Sequence, residues 1–161
     1  MPADYFLKLD PKVEGESQDS KHKGEIELES WSFGVSNPSS VLGGSRPGAG
    51  KSVPGDFTAT KKSDKSTPRL AQAVAMGDHF KSAIITVRKA GGTQQEYLTI
   101  TLSDVLISSY QAGGSGNGAL PTESISLNYS KMVQEYKEQK ADGSLGKAIS
   151  LGYDWSKQVK I

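Results

Sequence analysis

The sequence lacks cysteine altogether, has only two histidines among its 161 residues, and contains no long hydrophobic run. Without cysteine, disulfides, thiolate nucleophiles and cysteine-based metal sites are excluded. The 19 Lys and Arg residues nearly balance the 18 Asp and Glu residues, so the net charge of +1 provides no field that favours nucleic acid. The lack of an apolar run argues against membrane insertion, and we expect no cleavable signal peptide at the amino terminus.

Short alternating stretches separated by turns make up most of the chain, whose length fits one domain over residues 1–161. A single helix is predicted over residues 66–77, with Thr67 at its N-cap and Gly77 just after its end. A Gly-, Ser- and Pro-rich stretch at about 37–55 predicts a long flexible loop. Strands with one helix predict a mainly β fold, as a small β-barrel or sandwich.

The alternation changes phase near residue 29. Side chains of a strand point alternately to opposite faces, so Ile26 and Leu28 cannot share a face with Trp31 and Phe33 in one regular strand. A β-bulge at this point, or a strand that turns a corner between two packed sheets, resolves the conflict. If Trp31 and Phe33 fill the core, Ser32 must point away from it.

A Gly-rich stretch near the middle of the chain, Gly48-Ala49-Gly50-Lys51-Ser52, resembles part of a phosphate-binding loop. The full pattern needs a glycine five residues before Gly50, where this chain has Ser45. Val53 and Pro54 follow at once and prevent the helix that would face the phosphates. The stretch is therefore a weak candidate for nucleotide binding, and no cofactor is predicted.

His22 lies among acidic residues, and a paired imidazole on the surface is the interpretation that needs no catalysis. Glu25, Glu27 and Glu29 follow at strand spacing and indicate a solvated or partner-facing stripe. No serine is marked as a nucleophile. We therefore expect that the chain is not an enzyme.

Several blocks, spread over almost the whole chain, resemble the haemolysin-coregulated protein (Hcp) family, the tube proteins of bacterial type VI secretion systems. The blocks are Gly15-Glu16-Ser17, His22, Glu25-Ile26-Glu27-Leu28, Ser30-Trp31-Ser32, Ser66-Thr67-Pro68, Arg88-Lys89-Ala90-Gly91-Gly92, Val105-Leu106-Ile107-Ser108-Ser109, Ser126-Leu127-Asn128-Tyr129 and Gln139-Lys140-Ala141-Asp142-Gly143. Their common order makes the resemblance far more specific than any single motif.

The resemblance implies a small two-sheet β-barrel with one α-helix, similar to phage tail-tube proteins. It implies a homohexameric ring, rings stacked head to tail into a tube inside a contractile sheath, a spike protein at the tip, baseplate proteins, and effector proteins carried in the lumen. It also implies a protein that folds in the bacterial cytoplasm and is then secreted without a cleavable signal peptide. Neither nucleic acid nor membrane insertion is part of this function.

Two kinds of contact residue follow from the resemblance together with the strand pattern. Ser32 is expected to face the lumen, where a small polar side chain leaves room for cargo. Ring-to-ring contacts are expected at a hairpin tip and a polar tail, and with them in the long loop: Gly91, Gly92, Ser156, Lys157, Gln158, Arg46 and Lys51. Two alternatives stay open, namely a nucleotide-dependent or hydrolytic enzyme built around residues 48–52 or His22, and a monomeric binding module.

Overall fold

The computed structural model describes residues 3–38, 52–89 and 95–161. They form twelve β-strands and one α-helix. The elements in chain order are β1 Ala3–Asp10, β2 Ile26–Leu28, β3 Ser30–Ser32, β4 Val35–Ser36, β5 Val53–Pro54, β6 Phe57–Lys62, α1 Thr67–Met76, β7 His79–Lys89, β8 Glu96–Gly113, β9 Thr122–Asn128, β10 Lys131–Gln139, β11 Leu145–Asp154 and β12 Val159–Lys160.

Ten strands belong to one antiparallel sheet, and β4 and β5 form a second, two-stranded sheet. The main path runs β12-β11-β10-β8-β7-β1-β2, while β9, β6 and β3 continue from the second half of β8. The expected mainly β fold with one helix and two sheets is confirmed. The expected closed barrel is not shown, because among the described strands no hydrogen-bonded ladder joins β2 to β3.

The predicted phase change is a corner between partner strands. β2 pairs with β1, with Leu28 opposite Tyr5, whereas β3 pairs with β6, with Trp31 opposite Ala59. Between them, the Glu29 N–H donates a 2.7 Å hydrogen bond to the Thr60 carbonyl oxygen. The chain therefore changes partners at residue 29, as the corner interpretation requires.

β8 is a single strand of 18 residues, where the sequence pattern indicates two shorter runs. Its first half pairs with β7 and β10, and its second half pairs with β9. The strand continues through Ser103 and Asp104 because it has pairing partners on both sides of them. Asp104 itself has a positive φ of 53°.

The core lies between the inward faces of these strands and the helix. Its buried side chains are mostly aliphatic and include Leu7, Leu9, Ile26, Phe57, Leu70, Ala83, Ile85, Ile100, Leu102, Val105, Ile107, Ile125 and Leu127. Trp31 and Phe33 are partly buried against it, and the Trp31 ring stacks on Phe57 with ring centres 5.9 Å apart. Burying an aliphatic or Phe side chain contributes about 1.5–3 kcal/mol, so this cluster is the main source of stability.

Helix α1 closes one side of the core with Leu70 and Ala73, which are fully buried. It ends at Gly77 as predicted, since the left-handed φ of 68° suits a residue without a side chain. The N-cap is Ser66 and not Thr67, because Thr67 is already the first helical residue. Nowhere in the described ranges does a helix reach the length and hydrophobicity needed to span a bilayer.

Residues 11–25, which we call the strap, lie over the outward face of β1 and β7. The strap folds back on itself through a 2.8 Å hydrogen bond from the Gly15 N–H to the Gly24 carbonyl oxygen. A side chain at Gly15 would place its Cβ 2.3 Å from the Glu25 carbonyl oxygen, so only glycine fits there. The strap buries Phe6, which would otherwise be an exposed aromatic residue on the outward face.

Candidate functional site

The core-side face of β10 and β11 continues past the core, and there it carries apolar side chains that nothing in the described chain covers. Ile149 is 64% exposed, Leu151 is 69% exposed and Tyr136 is 47% exposed. Tyr136 lies opposite Ile149 in the ladder, and Gln134 lies opposite Leu151, so these side chains share one face. We call this surface the uncovered face; it comprises Leu98, Gln134, Tyr136, Ile149 and Leu151, which together line one shallow groove.

β10 and β11 approach each other closely next to this face. A side chain at Gly152 would place its Cβ 2.3 Å from the Met132 carbonyl oxygen. The opposite side of β11 is also open, since Ala148 and Ser150 are exposed. A ribbon with both sides open and large apolar residues on one of them is typical of a surface that packs against another molecule.

The polar tail predicted for ring contacts is a tight turn between β11 and β12. The Asp154 carboxylate accepts hydrogen bonds from the backbone N–H of Ser156 at 2.9 Å and of Lys157 at 3.3 Å. The hydrogen bond from the Ser156 hydroxyl, followed by these backbone bonds, holds the pKa of Asp154 below its ordinary value. Ser156, Lys157 and Gln158 are exposed on this rigid turn.

The same turn is tied to the chain that follows the long loop. The Trp155 indole N–H donates a 3.0 Å hydrogen bond to the Ser52 hydroxyl, and the Tyr129 hydroxyl donates a 2.8 Å bond to the Gly55 carbonyl oxygen. Ser52 therefore has a structural partner. Arg46, Lys51 and the remainder of the Gly-rich stretch lie outside the described residues.

The two ends of the sheet are separated by the register of the strands. Asp10, Ser82, Ser103, Lys131 and Asp154 are successive partners across five strands, so they mark one end, next to Ser156–Gln158. The other end holds Lys89 and Gln95, which flank the predicted hairpin tip, and the turn at residues 140–144. Gln95 reaches that turn with a 2.7 Å hydrogen bond to the Gly143 carbonyl oxygen.

Gly91 and Gly92 themselves lie outside the described residues. Their flanking residues and the turn at Ser156–Gln158 nevertheless lie at opposite ends of the same sheet. The strand register therefore keeps these two regions apart within one copy. Two copies placed end to end in the same orientation would bring them together.

Ser32 is exposed on β3, opposite Thr58 in the ladder with β6. Its neighbours Trp31 and Phe33 point to the core side, so the alternation around Ser32 is as the sequence pattern predicts. The structure contains one copy of the chain, so the lumen assignment stays a prediction.

A buried polar network, not anticipated from the sequence, joins β6, β9 and the start of the helix. The Lys61 Nζ atom lies 2.7 Å from Glu123 Oε1 and 3.1 Å from Asp64 Oδ1, and the Lys61 and Glu123 side chains are fully buried. The other Glu123 oxygen accepts 2.7 Å hydrogen bonds from the Ser63 and Thr67 hydroxyls. Burial, followed by a hydrogen bond to Glu123, raises the pKa of Tyr110 to about 12.

This network is structural, because every charged group in it is paired and neither Lys61 nor Glu123 reaches solvent. A signal for it does exist in the sequence. Lys61 follows Phe57 and Ala59 at inward positions of β6, and Glu123 precedes Ile125 and Leu127 at inward positions of β9. Opposite charges on two inward faces predict a buried pair once the two strands are known to be neighbours.

One charged contact of Arg88 ties the strap to β7, and a second ties β7 to β1. Arg88 is buried and lies 2.5 Å from Asp19 and 3.2 Å from Asp4. The hydrogen bond from Arg88 lowers the pKa of Asp19 to about 2. Arg88 also lies over the Phe6 ring, 4.8 Å from its centre, so the strap, β1 and β7 are fastened at one point.

His22 was expected on the surface and is instead buried, with 7% exposure. Its ring stacks on Phe6 with centres 4.4 Å apart, and its nitrogens lie 3.0 Å from Glu25 and 2.5 Å from Glu96. The surface interpretation is wrong because Glu96, 74 residues away in the chain, closes over the ring. The prediction of a paired imidazole is confirmed, and this imidazole joins the strap to β8 through Glu96.

Glu27 on β2 and Glu29 just after it are exposed, whereas Glu25 turns to His22, so the three acids do not form one stripe. Within residues 3–38, 52–89 and 95–161, no group of three or more potential ligands is placed to hold a metal ion.

Comparison with known proteins gives a consistent result over the whole chain. The sequence profile of the family described as "Type VI secretion system effector, Hcp" matches residues 6–136. Protein hcp1 of Pseudomonas aeruginosa is 43% identical over 162 aligned positions, which cover 99% of each chain. The crystal structure of Hcp1 from Salmonella typhimurium has a TM-score of 0.82 with 33% identity and covers 100% of both chains. A further solved structure, described as a type six secretion system protein, has a TM-score of 0.93 with 29% identity, covering 99% of this chain and 100% of the other.

Proposed function

Since this chain belongs to the Hcp family of the type VI secretion system, we propose that it is the repeating structural subunit of the secretion tube. Copies close into homohexameric rings, and rings stack head to tail inside a contractile sheath that propels the tube. The protein folds in the bacterial cytoplasm and leaves through the apparatus. Its role is structural, without a cofactor, and nucleic acid and membrane insertion play no part.

The uncovered face of β10 and β11 is the observation that best supports assembly. A soluble monomer that left Ile149 and Leu151 about two-thirds exposed would carry a persistent apolar patch. A ring covers this patch, because one surface of each copy packs against a different surface of the next copy. The rotation between neighbouring copies brings the last copy into contact with the first.

Stacking is supported by the placement of the two ends of the sheet. Ser156, Lys157 and Gln158 lie on a rigid exposed turn at one end, and the residues that flank Gly91 and Gly92 lie at the other. In a head-to-tail stack, the first end of one ring meets the second end of the next. We include Arg46 and Lys51 in the same ring-to-ring contact.

The lumen is assigned to the side on which Ser32 is exposed. Effector proteins travel there, the spike protein closes the tip, and baseplate and sheath proteins surround the tube. A small hydroxyl side chain at Ser32 gives a wall that is polar and leaves space, which suits cargo that must be held and then released.

Negative-stain electron microscopy and native mass spectrometry of the purified protein test the proposal. The wild-type chain is expected to give rings with a central hole and the mass of six copies. Leu151→Asp places a charge on the uncovered face, and the association is expected to weaken by about tenfold or more. Met76→Asp is the matched control, because Met76 is equally exposed, at 67%, but lies at the end of the helix.

Rings in the control and monomers in Leu151→Asp would support the assignment. A wild-type protein that is monomeric at every concentration would overturn the tube function. Rings formed equally well by Leu151→Asp would overturn the role of the uncovered face. Circular dichroism spectra of both variants should match the wild type, since both positions are exposed and contribute little to the fold.

A further inference from the structure

The two ends of the main strand path carry opposite charges. β11 and β12 form one end, and β2 forms the other. The exposed charges of β11 and β12 are Lys147 and Lys160, and neither forms a salt bridge within the described part of the chain. Asp154, the acid of these strands, is buried and bonded to Ser156. We call this positively charged surface the lysine edge.

The region beside β2 is acidic. A cleft there is lined by Glu16, Glu27, Glu29 and Asp64, with Lys62 as the cation and Leu120 as an exposed apolar side chain. Lys62 lies 3.8 Å from Glu29, and Asp64 is paired with buried Lys61 at 3.1 Å, while Glu16 and Glu27 form no salt bridge with any described residue and supply the uncompensated negative charge. Leu120 is 64% exposed. We call this surface the acidic cleft.

We infer that neighbouring copies in a ring meet with the lysine edge of one copy against the acidic cleft of the next. This inference rests on the proposed ring and assigns its two contacting surfaces. Lys147 lies on β11 beside Ile149 and Leu151, so the cation and the uncovered face form one continuous surface. The acidic cleft offers the complementary set, with carboxylates around Leu120.

The arrangement has the composition of a protein–protein interface, with an apolar centre and a polar rim. Opposite charges at the rim fix which surface meets which and suppress wrong pairings. Each copy has one of each surface, at opposite ends of the strand path. Every copy in a closed ring therefore uses both surfaces, and neither the lysine edge nor the acidic cleft is left uncovered.

A second copy is a better occupant than an unrelated protein because the complementary surface is already present on the chain. The copies do not repel each other overall, since the net charge is only +1. Like-to-like contact between two acidic clefts or two lysine edges is disfavoured by the same charges. This excludes a two-fold dimer through either surface and favours a closed ring.

Two charge-reversed variants test the inference. Lys147→Glu/Lys160→Glu makes the lysine edge acidic, so each copy has two acidic surfaces. Glu16→Lys/Glu27→Lys makes the cleft basic, so each copy has two basic surfaces. Each variant alone is expected to associate about tenfold or more weakly than wild type, because like charges then face each other.

An equal mixture of the two variants is expected to recover rings. In a ring that alternates the two proteins, one contact has the original charges and the other has the same charges exchanged. Native mass spectrometry should show three copies of each variant in one ring. Raising the salt concentration should weaken wild-type rings, because the rim charges are exposed and screened. Lys8→Glu/Lys81→Glu, at exposed lysines of β1 and β7 that line neither surface, is the matched control and should form rings alone.

Rings formed by either charge-reversed variant alone would overturn the inference, as would the absence of rings in a mixture of the two folded variants. In both cases, rings formed by the wild type would leave the proposed tube function intact. Wild-type protein that forms no rings would instead overturn the proposed function. Folding is checked by the melting temperature of each variant, and substitutions at exposed positions should leave it within a few degrees of wild type.

Discussion

Glu123→Gln is expected to destabilise the fold by about 3–5 kcal/mol, the usual cost of breaking a buried ion pair on one side. The substitution keeps the shape of the side chain and removes its charge. Lys61 then stays fully buried with a positive charge and keeps only the Asp64 carboxylate at 3.1 Å. The large effect comes from this unbalanced charge and not from lost packing.

Lys61→Met should cost less than Glu123→Gln. The Glu123 carboxylate would still accept hydrogen bonds from Ser63 and Thr67, both at 2.7 Å, and from Tyr110. Each such bond to a charged group is worth about 1.5–3 kcal/mol, so the remaining charge is partly compensated. The larger loss of unfolding free energy is therefore expected for Glu123→Gln, because Lys61 has fewer other partners than Glu123.

Urea unfolding followed by tryptophan fluorescence measures the free energy of unfolding, and circular dichroism gives the melting temperature. For a chain of this size, a loss of 3–5 kcal/mol corresponds to a fall of about 6–20 °C. All proteins are compared at one concentration, because assembly raises the apparent stability. Lys62→Met is the matched control: Lys62 is the next residue, is exposed, and lies 3.8 Å from Glu29, so its loss should change stability by about 0.5 kcal/mol or less.

The effect should also depend on pH. Burial raises the pKa of Glu123, but hydrogen bonds from Lys61, Thr67 and Ser63 outweigh burial and leave the pKa below its ordinary value of 4.5. A lowered pKa stabilises the folded state above pH 4.5, and this contribution is lost as the pH falls through the lower, folded-state pKa. The difference between wild type and Glu123→Gln should therefore narrow in acid. Equal, small losses in Glu123→Gln and Lys62→Met at neutral pH would refute the reasoning.

Three other results are expected. Ser32→Trp should leave ring formation unchanged and reduce the retention of effector cargo in co-purification; unchanged retention would contradict the lumen assignment. Cysteines introduced at Gly92 and Gln158 should crosslink stacked rings under oxidation, since the chain has no other thiol; separate single-cysteine proteins are the control, and failure to crosslink would count against the contact. Arg88→Met should reduce the acid destabilisation that arises from Asp19, whose pKa in the wild type is lowered from 3.8 to about 2 mainly by the hydrogen bond from Arg88; urea midpoints measured between pH 4 and pH 2 that fall equally in both proteins would contradict it.

The local parts of the fold could be predicted from the sequence because their signals lie within a few residues. The phase change between Leu28 and Trp31 indicated the corner at Glu29, and the left-handed Gly77 ended the helix. These features depend on backbone sterics and on alternation along one strand. The family resemblance extended them to the whole chain.

The rest depends on which distant segments become neighbours. The sequence predicts a surface position for His22, but in the structure Glu96 closes over its ring. Glu96 is 74 residues away in the chain, so no local pattern could show this contact. Ile149 and Leu151 alternate as a buried strand would, and the sequence cannot show that β11 extends beyond the part of the sheet that the core covers. Their exposure was visible only in the structure, and it supports the assembly proposal most directly.

The length of β8 has a consequence for how the protein resists force. Its first half holds β7 and β10, and its second half holds β9, so one continuous strand belongs to both parts of the sheet. The two sets of ladders meet at Leu106, which pairs with His79 of β7 and with Asn128 of β9. We expect the domain to unfold as one cooperative unit, with uniform hydrogen-exchange protection along β8. A subunit that unfolds as one unit would suit the tube proposed above.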